Sequence, residues 1–167
     1  MSGADTHLAS FNLGILRGDW DDPAIADFVA GLDRVNGVAQ RSPGFVWMLG
    51  EEQMEAGQLD ADSPLGAHPR LASTLSVWTD ADALGRFVWN TLHRQFYARR
   101  GDWYVEAEQR PGPRMVLWHV PAGHRPSLAE AADRLDHLAR HGDTDHAFGW
   151  DRVVQNGWTA HRCGVAA

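Results

Sequence analysis

From His7 to Leu16 apolar and polar positions alternate. Ala9, Phe11, Leu13 and Ile15 fall on one side, and Ser10, Asn12 and Gly14 on the other. A period of two predicts a strand. Asp22-Pro23 then opens a helix, because an Asp can accept from the free amides of a first turn and Pro suits the first helical position. Phe28, Leu32, Val35 and Ala39 recur at helical spacing, supported by Ile25 and Val29, until Ser42-Pro43-Gly44 stops the pattern. Phe45 to Leu49 predicts a second strand with Phe45, Trp47 and Leu49 on one face. Glu51 to Arg70 is acidic and contains Gly and Pro, which predicts a long loop, either a lid or a mobile insertion. Leu71 to Trp78 is a third strand, with Leu75 and Val77 opposite Thr74, Ser76 and Trp78.

Thr79 is expected to cap a helix that carries Asp82 in its first turn and runs to about Arg100. Leu84, Val88, Thr91 and Leu92 form one stripe on it; Trp89, His93, Phe96 and Arg100 form another. Met115 to Val120 is a fourth strand. Ser127 and Glu130 make a capping box for a helix that turns Ala131, Leu135, Leu138 and Ala139 inward and ends at Gly142. Ala147 to Val154 is read as a last strand. The order β-α-β-β-α-β-α-β begins as a split β-α-β plait. The expected fold class is therefore α+β: a ferredoxin-like plait plus an extra α-β. No repeat or linker divides the chain, so residues 1–155 form one domain and residues 156–167 a flexible tail. Trp78, Trp118 and Trp150 make a second sheet face apolar. Pairing with a second copy of the chain is the simplest cover for it; the third helix is the other.

Composition narrows the classes. The chain has 167 residues, 44% of them hydrophobic and 22% charged, which suits one folded domain. The net charge of −7 disfavours nucleic acid as a partner. All 15 basic residues are Arg, which excludes Lys-based Schiff-base or Walker-type chemistry. Cys163 is the single cysteine, so no internal disulfide is possible. No stretch is long and apolar enough to span a bilayer, and Met1 to His7 is polar. The expectation is a cytoplasmic protein without membrane contact. Eight tryptophans suggest core and interface, with some left to line a cavity.

Several segments together resemble a known family. They are Asp22-Pro23, Ser42 to Trp47, Ser76-Val77-Trp78, the helix with Phe87, Val88 and His93, Arg99-Arg100 and Trp103. Leu117 to Pro126, Arg134-Leu135 and His141-Gly142 complete the set. Over residues 7–154 the chain resembles an uncharacterised bacterial family, domain of unknown function 3291, of the dimeric α+β barrel superfamily. That superfamily includes antibiotic-biosynthesis monooxygenases and haem-degrading enzymes. The resemblance implies this fold and a homodimer, but no particular reaction; the sequence itself points to a small-molecule pocket.

In cofactor-free oxygenases of that superfamily, Asn, Trp and His or Arg side chains hold a phenolic substrate for attack by dioxygen. The matching constellation here is Asn12, Trp89 and His93, although Trp and His stand four residues apart, closer than in the haem-degrading members. His93 and Asn12 are the expected catalytic pair. Trp89, Phe96, Trp78 and Arg100 are the expected substrate contacts, with no bound organic cofactor and no metal. The reading is an enzyme acting on a small aromatic or polyketide-like molecule. The alternatives are a non-catalytic binding or stress-related module, or a haem protein with His93 as ligand. His93 could also be a packing residue. Arg94, Arg99 and Arg100 could hold a carboxylate, or pair with Asp82, Asp102 or Glu106. His137 and His141 have the i, i+4 spacing of a helical metal pair, but the helix dipole also explains His141.

Overall fold

The computed structural model describes residues 6–106 and 111–157. Strand β1 is Thr6–Ile15. The Asp22 carboxylate accepts from the Ala24 amide at 2.8 Å and starts a 3-10 turn, Pro23–Ile25, that leads into α1, Ala26–Arg41. Strand β2 is Phe45–Met48, α2 is Glu51–Leu59, and β3 is Leu71–Trp78. Helices α3, Ala81–Asn90, α4, His93–Ala98, and α5, Arg100–Trp103, follow. Strand β4, Met115–Pro121, α6, Leu128–His141, and α7, Trp150–Gln155, complete the described chain.

The four strands form one antiparallel sheet in the order β2-β3-β1-β4. This is the order of a ferredoxin-like plait, as the first six predicted elements require. One sheet face carries Ala9, Phe11, Leu13, Leu75, Val77, Val116 and Trp118, all buried beneath α2 and α6. The other carries Leu8, Ser10, Asn12 and Gly14 of β1, paired to Trp78, Ser76, Thr74 and Ala72 of β3, and lies beneath α1 and α3.

Several expectations change. Residues 51–59 are helical. Glu51 and Glu52 suit the positive end of α2, while Met54 and Gly57, three apart, bury against the sheet and Leu128. So little apolar surface left no visible stripe in the sequence. A bulge between Phe45 and Trp47 splits β2, so Phe45 packs against Trp78 while Trp47 and Leu49 join the opposite cluster. Trp78 and Trp118 sit opposite the neighbouring residues Leu8 and Ala9, and so point to opposite faces. Trp150 is on a helix. The expected last strand is only a bridge of Phe148 to Leu117, after which Gly149 opens α7. Asp80, not Thr79, caps α3, accepting from the Ala83 amide at 2.7 Å. Ala139 is exposed.

The face left for a second copy is thus covered by the chain's own α2 and α6. Cys163 and most of the tail expected from residue 156 lie outside the described residues. Among the described residues, no helix is long and apolar enough to cross a membrane.

Candidate functional site

Beneath α1 and α3, apolar contacts gather at the two ends of the sheet. At one end Leu8, Trp78, Leu117, Phe87 and Ala39 pack together. At the other, Leu16, Ala72, Phe28, Ile25 and Trp103 do so. Between them the strand positions are Ser10, Asn12, Thr74, Ser76 and Met115. The Trp78 indole N–H donates to Ser76 Oγ at 3.0 Å, which occupies one hydroxyl. Asn12 is exposed although it lies on a central strand under a helix layer, and Thr74 and Met115 beside it are half-buried. A mid-sheet residue can reach water only where the helices leave a crevice above it. Its floor is the Asn12–Thr74–Met115 row.

Tyr104 closes one side of this crevice. A Cβ on Gly14 would overlap its ring, so the tyrosine lies directly over that glycine, next along the strand face from Asn12. Phe28 packs edge-on to it at 5.5 Å. Burial pushes the Tyr104 hydroxyl pKa up, so the phenol is held neutral.

The position of His93 depends on a break in the predicted helix. Thr91 is extended; its hydroxyl donates to Phe87 O at 2.6 Å and accepts from the His93 amide at 3.3 Å. Chain direction changes there. Phe87 stacks on Trp78 in the first cluster, whereas Phe96 packs on Gly31 and Trp103 in the second. His93 is at the start of α4, not in mid-helix, and packs at the edge of the first cluster. Its ring lies 4.9 Å from Phe87 and stacks with Tyr97 at 6.4 Å. Nδ1 is 3.3 Å from Val88 O. A carbonyl only accepts, so Nδ1 carries the hydrogen and Nε2 is left with a free lone pair. Burial lowers the His93 pKa, against a smaller raising effect of the Val88 bond. The result is a neutral imidazole whose Nε2 is the acceptor nitrogen.

The six expected residues therefore separate. His93 and Trp89 share an aromatic layer through Tyr97, whose ring meets Trp89 edge-on at 5.3 Å. Among the described residues, the buried Trp89 indole N–H has no partner. Arg100 is on the outside of that layer, 4.1 Å over the Tyr97 ring and bonded to its carbonyl. Phe96 belongs to the other cluster. Trp78 is fully buried core and not a pocket wall. Asn12 is on the crevice floor, and no hydrogen bond joins it to His93 among the described residues. Arg99 pairs with Asp27 and Asp102 at the surface. Tyr97, Tyr104 and Thr74 were missed as site residues. The polar alternation of Ser10, Asn12 and Gly14 opposite an apolar face was the available signal.

No group of three or more His, Cys, Asp or Glu able to hold a metal occurs among the described residues. A separate open depression of about 230 Å³ lies on the opposite sheet face, bordered by Leu13, Leu65, Pro113, Leu135 and Ala139.

The sheet order and the helix layer define an α+β ferredoxin-like plait whose central strand leaves Asn12 open to solvent. The chain belongs to the family described as Domain of unknown function (DUF3291), which matches residues 7–163. It is similar to SnoaB, a cofactor-independent oxygenase from Streptomyces nogalater, at 19% identity and a TM-score of 0.40, over 75% of this chain and 98% of that one. It is also similar to NE2512, a protein of unknown function from Nitrosomonas europaea, at 14% identity and a TM-score of 0.43, over 75% of this chain and 99% of that one. No curated protein matches the chain.

Proposed function

We propose that the chain is a monooxygenase-like enzyme without a bound organic cofactor, acting on a small aromatic or polyketide-like molecule in the crevice over Asn12. The carrying observation is the exposure of Asn12 on a central strand beneath the helix layer. Its amide offers both a donor and an acceptor to a phenol or ring carbonyl. Tyr104 and Phe28 supply flat apolar surface. His93 Nε2 takes a proton from the substrate, and the resulting carbanion passes its electrons to dioxygen. A ring CH₂ becomes a carbonyl with one oxygen atom, and the other leaves as water. Arg100, outside the aromatic layer, has no direct part in this reading.

The test is oxygen uptake with anthrone- and naphthol-type probes. Turnover is expected in the wild type, and His93→Ala should lower it by about 100-fold or more, the usual scale for a positioned base. Asn12→Ala should weaken probe binding about tenfold, the scale of one lost hydrogen bond. Probe retained unchanged with no oxygen uptake would make the chain a binding module. A Soret band in the protein from its own host would replace the reading with haem binding. The homodimer belongs to this proposal too, and what supports it is the family resemblance, since both sheet faces are covered within one chain.

A further inference from the structure

We propose that Tyr104 is a second anchor for the substrate: its hydroxyl donates to a ring carbonyl while Asn12 holds a phenolic hydroxyl, so the crevice takes uncharged, hydroxylated aryl ketones. This rests on the crevice reading above and adds to it a residue and a substrate class.

The backbone places the hydroxyl. Tyr104 pairs with Leu16 in an antiparallel bridge, and the Val105 amide donates to the Ile15 carbonyl at 2.9 Å. Residues directly opposite on antiparallel strands share a face, and alternate residues of one strand share a face. Leu16, Gly14 and Asn12 alternate along β1, so Tyr104 lies on the side that Asn12 faces. From beside Leu16 the ring reaches over Gly14. Its Cδ1 and Cε1 atoms stand nearer to the place of a Gly14 Cβ than Cγ does. The hydroxyl end is thereby carried past Gly14 and away from Leu16. Phe28, edge-on at 5.5 Å, backs the ring in this attitude.

The hydroxyl is a donor with nothing to donate to. Among the described residues it has no hydrogen-bond partner, and burial keeps it protonated. An unbonded buried hydroxyl is destabilising, and a ligand oxygen at that point removes the penalty. Arg114 sets the polarity. Its positive charge works against the effect of burial on the phenol, so it favours an electron-rich oxygen beside the hydroxyl. A carbonyl meets that need. A carboxylate gains less, because the Arg114 guanidinium already donates to the Val105 carbonyl and the floor residues Asn12, Thr74 and Met115 carry no charge to pair with it. Of the hydroxyls further along the same face, Ser76 accepts from the Trp78 indole and Ser10 is buried. Asn12 is open to solvent, and its amide both donates and accepts, which suits a phenol.

Binding to the full chain is measured under argon, so that no turnover intervenes, by quenching of tryptophan fluorescence. The probes are a hydroxytetralone with its hydroxyl on the aromatic ring and the tetrahydronaphthol that lacks only the ketone oxygen. Tyr104→Phe leaves the ring over Gly14 and removes the hydroxyl. It should bind the hydroxytetralone about tenfold more weakly, the scale of one hydrogen bond, and the tetrahydronaphthol as the wild type does. Asn12→Ala should weaken both probes. If Asn12→Ala weakens both while Tyr104→Phe weakens neither, or weakens both equally, the Tyr104 assignment is overturned and the crevice reading stands. A wild type that binds neither probe overturns the crevice reading and the assignment with it. Should Tyr104→Phe fail to fold, the wild type decides. Tyr97 and Tyr104 are the only two tyrosines, so isotope-labelled Cζ gives two NMR signals, with Tyr97 as the control. The Tyr104 signal should move further with the hydroxytetralone than with the tetrahydronaphthol, and equal shifts overturn the assignment.

Discussion

His93 is set by two short-range facts, the carbonyl of Val88 before it and the aromatic rings on either side. Its pKa lies below the ordinary 6.5 because burial disfavours the imidazolium. The sign for stability follows. Its contribution is complete above pH 6.5 and is lost as pH falls through the depressed value, since the unfolded chain takes up the proton first. Urea midpoints at pH 8 and 5.5 should therefore fall more in the wild type than in His93→Gln. The acid limb of any turnover profile should likewise lie below 6.5. Gly14 makes a separate point. Its lack of a side chain is what admits the Tyr104 ring, so Gly14→Ala should cost about 1–3 kcal/mol and displace the wall of the crevice. Thermal denaturation checks the first effect, and the Tyr104 ring signals in NMR the second.

At the scale of elements, the four strands of the sheet were legible and some helices were not, and a fifth strand was read where α7 lies. β1 and β3 alternate because each packs its two faces differently, one mainly apolar and one mixed. Helix α2 gave no pattern, since Met54 and a close-packed Gly57 are its only buried residues. It is nonetheless anchored to the core. Met54→Ala should destabilise by about 2–5 kcal/mol, measured by chemical denaturation. An effect below about 0.5 kcal/mol would return residues 51–59 to the surface loop that their composition suggests. The opposite error occurred over residues 79–100, where helical spacing continued through Thr91. The threonine hydroxyl bonds back to Phe87, and the chain turns so that Phe96 can reach Gly31. Periodicity cannot register a bend whose gain lies in a contact with another helix.

For the whole molecule, the covering of the second sheet face by α2 and α6 removes the argument that an apolar sheet must find a partner copy. The proposed homodimer should appear as twice 18.5 kDa by light scattering at micromolar concentration. A mass of one chain would make the monomer the functional unit.

The plait itself was determined by local information. Period-two strands, the Asp22 cap and the stop at Ser42-Pro43-Gly44 mark the first six elements and their order, and few sheet topologies fit that order; Ser127 and Gly142 then bound α6. Asn12 and His93 were also chosen from the sequence, by resemblance and by residue type. Only the tertiary structure decided that Trp78 is core, that Phe96 serves a different cluster, and that Tyr104 covers Gly14. The same holds for the gap between the apolar clusters that exposes Asn12. These are outcomes of which distant side chains meet across the sheet. The pattern along a chain records the burial each residue favours, while the contacts that leave a crevice open depend on how the helices cross above it.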